Sequence, residues 1–405
     1  MRCNPPSAQH AALQAFDTRS RHCFAALTGL HLNRTQWQQA GRGFAQAGLG
    51  LRQAVVDAPA AYLASRGGVA SACQQLDAGF DSAALSETAE VRQALVLLNA
   101  QLAQPLSGSA ALAKRQGELC DLLDDASWRR QLSCSTPVAK AFLLSETQVG
   151  ARAFLAAVPR ERGRMDPAAF VAELRLRLGI PEATDDVWCP RCDSVLDAYS
   201  HHAGVCSVGG ERTLHHNAVR DLVCSWATRA GLQPEKEKPN LLLPQRPEDS
   251  HLARKRPADI FIPCLEGTPS ALDFAITGPQ RMESLPQAAA EAVSAAAAYA
   301  AVKASHHDTA AVCTVQGVKF IPMVAETTGA WDKGAARVLR LIAAATAARE
   351  GGDCAALTAT MFQELSVCIR GFRARATLRR RAELHVAARN DPVRSAELVL
   401  ESSGL

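Results

Sequence analysis

Aromatic residues make up only 5% of the 405 residues, and three of them are tyrosines. A core built on large rings is therefore not expected, and the abundant alanine favours close packing of helices through small side chains. The chain has no run of about 18 apolar residues, so no membrane-spanning helix is expected. Its longest small-residue stretch, Ala288 to Ala301, is interrupted by Glu291 and Ser294 and reads as a helix. No basic start followed by an apolar segment is present, so no secretory leader is expected. A net charge of +4 is too small to announce a nucleic-acid partner by itself. Thirteen cysteines in a long chain without a leader argue against a disulfide framework and for a reducing compartment, nucleus or cytoplasm. Hydrophobic residues at 48% and charged residues at 21% fit a globular protein of two or three domains.

Residues 1–185 read as nearly all helix. Long Ala/Leu/Gln/Arg segments are separated by Gly48-Leu49-Gly50, Gly67-Gly68, Pro105 to Ser109 and Pro159 to Gly163. Phe170, Val171, Leu174, Leu176 and Leu178 suit an amphipathic helix. Asp166 is placed as its N-cap and Pro167 as its first residue, with Gly179 and Pro181 at its end. The composition changes at Asp185, where Cys, His and Gly cluster as far as Gly210. A helix from about Arg212 to Arg229, closed by Gly231, comes next. Short β-like runs follow at 241–243, 260–263, 272–277 and 318–324, with the Ala-rich helix between the last two. This order predicts an α+β or α/β region with a mixed sheet flanked by helices. Near the end, Arg370, Arg373, Arg375, Arg379, Arg380, Arg381, Arg389 and Arg394 crowd one stretch against only Glu383 and Asp391. Such a stretch is either a solvated helix face or a helix that contacts phosphates.

Two groups of residues carry chemistry. Cys189 and Cys192 form a C-x2-C pair, and Cys206 with either His201 or His202 completes four ligands. Two thiolates separated by two residues close a turn around one Zn2+, and a full shell of four protein ligands marks a structural zinc. Spacing alone does not choose between the adjacent histidines. Asp259 stands at the start of one β-like run and Asp273 inside another, with Gly267 and Pro269 between them, so a hairpin is expected. Pairing about residue 267 would set Asp259 opposite Ala275 and leave Asp273 as its diagonal neighbour on the same face, roughly 7–8 Å away at the backbone. A carboxylate within an apolar strand is costly unless paired or bound to metal, so the two acids are expected to share a Mg2+ or Mn2+ ion.

The order of these groups resembles the restriction-like endonuclease, of the PD-(D/E)XK superfamily, at the C-terminus of site-specific non-LTR retrotransposon proteins. The likeness covers about residues 188–330. It rests on the cysteine–histidine knuckle (186–210), on His215-His216-Asn217 in the place of an Arg-His-Asn element, on Pro257-Ala258-Asp259 in the place of a Pro-Asp motif, and on Asp273 with thirteen residues between it and Asp259. The resemblance implies a restriction-endonuclease-like sheet over 211–350 and a basic helical tail over 351–405. It implies DNA as the partner, with RNA as the alternative, and catalysis by Asp259 and Asp273. Ala275 stands where the superfamily has its lysine. The retrotransposon enzymes carry that lysine on the following helix near a tyrosine, which here points to Lys303 and Tyr299, four residues apart. Glu235 or Glu237 could supply a third carboxylate. His216 and Asn217 are expected to be structural or to touch DNA, as are Arg256, Arg379, Arg380 and Arg381. His306 and His307 are expected only to solvate a helix end.

Gly48 to Arg52 and Ala60 to Ser65 resemble the segment that follows the polymerase core in such proteins. The polymerase itself needs a Tyr-x-Asp-Asp turn, and none of Tyr62, Tyr199 and Tyr299 is followed by paired aspartates. The chain therefore looks like a C-terminal fragment of such a protein or a separately encoded remnant, partnered in the second case by a reverse transcriptase encoded elsewhere. Two further readings stay open: a nucleic-acid-binding zinc protein whose nuclease site has decayed, and a zinc-stabilised scaffold.

Overall fold

The computed structural model describes residues 2–82, 84–208, 210–244, 247, 250 and 256–390, with the side chains of 387–390 left out. Arg394 and Asp391 therefore lie outside the described residues, as does the side chain of Arg389. The chain divides into two compact units, Met1–Ser135 and Thr136–Leu405. The change of composition at Asp185 thus falls inside the second unit.

The first unit consists of helices α1 (His10–Thr28), α2 (Arg34–Gly41), α3 (Ala54–Leu76), α4 (Ala89–Asn99), α5 (Gly108–Leu112) and α6 (Gln116–Ser133). Leu63, Leu98 and Leu119 meet in its core among small residues such as Ala60 and Ala94. Gln53, at the N-cap of α3, makes no capping bond through its side chain. Asp17 on α1 supplies it instead, accepting from the N–H groups of Ala54 at 2.7 Å and Val55 at 3.0 Å. The Gly67-Gly68 pair, expected as a break, lies inside α3. A Cβ at Gly67 would stand 1.8 Å from the carbonyl oxygen of Leu112. Glycine is there to let α3 approach α5, and the helix runs on.

The second unit begins with α7 (Pro137–Glu146), α8 (Val149–Arg152) and α9 (Pro167–Arg177). Asp166 caps α9, accepting from Ala168 N–H at 2.9 Å, with Pro167 at the first position as expected. A two-stranded ribbon, β1 (Val187–Trp188) and β2 (Val195–Leu196), precedes α10 (Glu211–Arg229). Then come β3 (Glu235–Lys236), β4 (Ile260–Leu265), β5 (Thr268–Thr277), α11 (Leu285–Ala288), α12 (Ser294–Ser305), α13 (Thr309–Val315), β6 (Lys319–Glu326), α14 (Lys333–Glu350) and α15 (Cys354–Asn390). The sheet order is β3-β4-β5-β6; the first three strands are antiparallel and β6 runs parallel to β5. The mixed sheet expected from the sequence is present. One face carries Ile260, Ile262, Leu272, Phe274, Ile321 and Met323 into a core with Val223, Trp226, Leu339 and Leu365 of α10, α14 and α15. The other face carries Ala275 and Val324 against Ala296 and Tyr299 of α12.

Four expectations need correction. Residues 241–243 form no strand; the first strand is Glu235–Lys236, held by ladder bonds to β4, while Leu242 buries its side chain from a loop beside Ala258 and Val318. The Ala-rich helix starts at Ser294, because Val293 takes a left-handed conformation (φ 60°) and separates it from α11. The hairpin turns at Glu266-Gly267, both with positive φ (51° and 80°), as a two-residue loop between twisted strands requires. Ile260 pairs with Leu272, so Asp259 comes opposite Asp273 itself, closer than the diagonal placement. Residues 354–390 are no tail: α15 puts Met361, Phe362, Leu365 and Ile369 into the core.

The arginine stretch on α15 is partly internal, with Arg375 and Arg379 left exposed. Arg370 and Arg373 are buried. Arg370 donates to Glu146 at 2.5 Å and to Glu173 at 2.8 Å, Arg373 pairs with Glu173, and Arg177 of α9 pairs with Glu146. Burial alone would raise the Glu146 carboxyl, but Arg370 and Arg177 hold it below the ordinary carboxylate range. Breaking such a network leaves a charge buried without a partner. Glu146→Gln is therefore expected to lower stability by about 3–5 kcal/mol in urea unfolding, whereas a loss under about 1 kcal/mol would mark the network as solvated.

Glu326 ends β6 on the α12 face, fully buried, with Ser145 Oγ donating to it. Burial pushes its carboxyl up to about 7 from 4.5. The folded state then holds a proton that the unfolded chain has already released, so stability falls as pH rises from about 4.5 to 7. Glu326→Gln should flatten that slope, worth about 3 kcal/mol at most, in melts recorded across that pH range.

Candidate metal centres and the cleft beside them

The ribbon β1–β2 brings Cys189 and Cys192 to its turn, where the Cys189 N–H donates to the Ser194 carbonyl at 2.9 Å. Residues His201–Gly204 follow as a 3-10 turn, begun by Ser200 in the left-handed region (φ 58°). With three residues per turn, adjacent side chains point about 120° apart, so only one of the two histidines can face the cysteines. That one is His202. The ligand atoms of Cys189, Cys192, His202 and Cys206 all lie within 4.8 Å of one another. His202 Nε2 is 3.1 Å from Cys192 Sγ, and the sulfurs of Cys192 and Cys206 are 3.7 Å apart. Sulfurs bound at about 2.3 Å around a tetrahedral ion would stand about 3.8 Å apart, so this group could hold a zinc ion. His201 turns away. Its Nδ1 meets Asp197 at 2.9 Å, and its ring packs on Phe142 and Tyr199.

The donor chemistry of the group suits a cation. Burial, followed by the charge of Arg380, keeps His202 below its ordinary pKa and so neutral. Burial opposes ionisation of Cys189, but the N–H groups of Arg191 and Cys192 outweigh it and lower that thiol. Arg380 is fully buried; its Nε and Nη2 have no oxygen acceptor, and its guanidinium turns to the sulfurs of Cys206 and Cys189. It also meets Glu211, the first residue of α10, at 3.4 Å. The expectation that Arg380 contacts phosphate is therefore corrected: the side chain is buried between Glu211 and the cysteine sulfurs. Arg379 pairs with Glu211 at 2.9 Å and Arg381 with Glu182 at 2.6 Å, both from partly exposed positions.

The second group lies on the α12 face of the sheet. Asp259 and Asp273 stand side by side with their carboxyls in hydrogen-bonding contact. Asp259 Oδ2 accepts the Phe274 N–H at 2.6 Å, and its Oδ1 lies 3.2 Å from His216 Nε2. Asp273 Oδ2 accepts from Lys303 Nζ at 2.7 Å. Burial pushes Asp273 above the usual carboxyl range; the Lys303 ammonium pulls it down, and the Asp259 charge adds to the push. Burial acts on Asp259 too, but His216 and the Phe274 N–H hold it below that range. One acid thus favours ionisation and its neighbour resists it, as two carboxyls forced together must. The four side chains are 17–28% exposed, so the pair is reachable from solvent.

The other residues singled out by sequence fall around this pair unevenly. Glu237 N–H donates to the Asp259 carbonyl at 3.0 Å, so the residue is adjacent. Its carboxylate is held by Arg220 at 2.7 Å and Arg256 at 3.6 Å, turned to cations of its own. Glu235 pairs with Lys238 and stands apart from the acids. Tyr299 packs on Ala275 and Ala296, with the Arg281 guanidinium 5.4 Å from its ring centre. Asn217 is half-buried next to His216. His215 is buried and stacked on Phe372 at 5.0 Å, and burial pushes its imidazole down to about 3. His306 and His307 are exposed after α12, as expected.

Between the ribbon and the sheet opens a cleft of about 840 Å3. Its walls include Arg212, His216, Arg281, Tyr299 and Lys303, and the one acidic lining residue among the described residues, Asp197, is already paired with His201. The cysteine–histidine group reaches the cleft through His202, and the acid pair through its partners His216 and Lys303. Sequence reasoning missed the contacts of Arg380 and of His216 with Asp259. The spacing of Arg370, Arg373 and Arg380 at three and seven residues marks one helix face and could have signalled the first; no local pattern signals the second.

None of the thirteen cysteines is in a disulfide. Among the described residues no helix is long and apolar enough to cross a membrane. Compared with known proteins, the chain matches no family model and no curated protein.

The assignment of His202 has a direct check. His202→Ala should lose the charge-transfer spectrum of bound Co2+ or drop its zinc affinity at least about 10-fold, while His201→Ala should keep both. Equal losses in the two variants would contradict the geometry.

Proposed function

We propose that the second unit is a metal-dependent DNA endonuclease of the restriction-like kind carried by site-specific non-LTR retrotransposons. The observation that carries this reading is the contact of Asp259 and Asp273 on one face of the sheet, with Lys303 on one acid, beside a cationic cleft. Two adjacent carboxylates repel each other and gain most from a divalent cation held between them. Asp259 and Asp273 would hold Mg2+ or Mn2+, which when bound polarises the scissile phosphate and makes water a stronger nucleophile. Lys303 keeps its ammonium within 2.7 Å of Asp273, where it can balance charge that develops on the phosphate as water attacks. Arg212 and Arg281 along the cleft would bind the DNA backbone, positioning it without reading its sequence. Tyr299 supports the α12 surface from which Lys303 projects and offers its ring to the cleft.

In this reading Cys189, Cys192, His202 and Cys206 bind a structural zinc that fixes one wall of the cleft. The protein would work in a reducing compartment, nucleus or cytoplasm, with a reverse transcriptase as its partner in any copying activity. RNA is the alternative nucleic acid.

The zinc-loaded full chain, incubated with supercoiled plasmid, should nick it with Mg2+ or Mn2+ and remain inactive in EDTA. Asp273→Ala should be silent, and Lys303→Met should lose about 100-fold or more in rate. Salt-sensitive retention of DNA without nicking would sink the enzyme reading and leave a binding protein. Zinc content without DNA binding would leave a scaffold.

A further inference from the structure

We propose that His216 is the positioning residue that sets the Asp259 carboxylate for a divalent cation; this rests on the reading of Asp259 and Asp273 as the cation-holding pair. A carboxylate tied at one oxygen can still swing about its Cβ–Cγ bond. Asp259 is tied at both: Oδ2 accepts the Phe274 N–H from β5 at 2.6 Å, and Oδ1 faces His216 Nε2 from α10 at 3.2 Å. The first tie is backbone and comes with the hairpin. The second is a side-chain contact from another element, and it decides where the remaining lone pairs point.

The mount of the imidazole is rigid. Three, seven and ten residues after His216, α10 buries Val219, Val223 and Trp226 in the main core. One residue before it, His215 is clamped flat on Phe372. The start of α10 is held through Glu211 by Arg379 and Arg380. The ring can neither rotate with its helix nor slide along it. Asp273 is held otherwise, by a flexible lysine in the last turn of α12. The pair therefore has one carboxylate preset by the fold and one free to adjust as the lysine moves. Outer partners of this kind tune affinity by aiming a ligand's lone pairs, without touching the ion themselves.

The test uses the zinc-loaded full chain and Mn2+ alone, followed by electron paramagnetic resonance without DNA, alongside the Mg2+ dependence of plasmid nicking. His216→Ala should bind Mn2+ about 10- to 100-fold more weakly and should raise the Mg2+ needed for half-maximal nicking by the same factor. His216→Gln, which keeps an N–H donor at similar reach, should recover most of both. Asp259→Asn should abolish the Mn2+ site. An alanine variant that titrates Mn2+ like the wild type overturns the proposal, even if its nicking is lost, because His216 would then act on the DNA. A glutamine variant as weak as alanine also overturns it, making the ring itself a ligand. Failure of the underlying reading looks different: the wild type and Asp259→Asn would show the same Mn2+ titration, with no site to tune.

Discussion

Arginine can remain inside a protein only where carboxylates are brought to meet it, because a lone buried guanidinium costs more than a helix contact returns. In the second unit this constraint acts along α15. Arg370 and Arg373 need Glu146 of α7 and Glu173 of α9, and Arg177 needs Glu146 as well. The three helices therefore have one workable arrangement. Ten residues on, about 15 Å along the axis, the same helix presents Arg380 to Glu211 and to the sulfurs of Cys206 and Cys189. A single long helix thus orders the helical part, sets a guanidinium beside the cysteine–histidine group and anchors the start of α10. The position of His216 beside Asp259 follows from that chain of placements.

The acid pair solves the same problem with fewer means. Two carboxylates in contact must lose charge or gain a cation. Two flanking side chains, His216 on Asp259 and Lys303 on Asp273, let the fold tolerate the pair while keeping it within reach of the cleft. The acids and their two partners remain partly open to solvent.

How far the sequence foretells this depends on which interactions are local. The cap of α9 is read from Asp166-Pro167 because the capping bond spans three residues. Cysteine spacing finds the knuckle for the same reason, but the choice of His202 needs the twist of a 3-10 turn. Lys303 enters through a family likeness, and its bond to Asp273 is a contact thirty residues apart. Glu235–Lys236 is invisible as a strand because it carries no alternation; its hydrogen bonds to β4 make it one. The arginines of α15 look solvated or phosphate-seeking, since their acidic partners lie about two hundred residues upstream. The short strands and helix ends are where tertiary contacts override propensity.

A small irregularity in the hairpin has a large consequence. At the turn, Leu265 pairs with Thr268; beyond the shift between Ile262 and Leu265, Ile262 pairs with Ser270, so β4 carries one residue more than β5 in that interval. Pro263, which has no N–H to give the ladder, sits in the interval and makes the extra residue tolerable. Were the turn register simply continued, Asp259 would oppose Phe274, whose ring belongs to the core side of the sheet. Facing residues share a side, so the acid would be driven into oil. The parity of one short arm, odd instead of even, is what sets both acids on the open side, and the arm can change length only in steps of two.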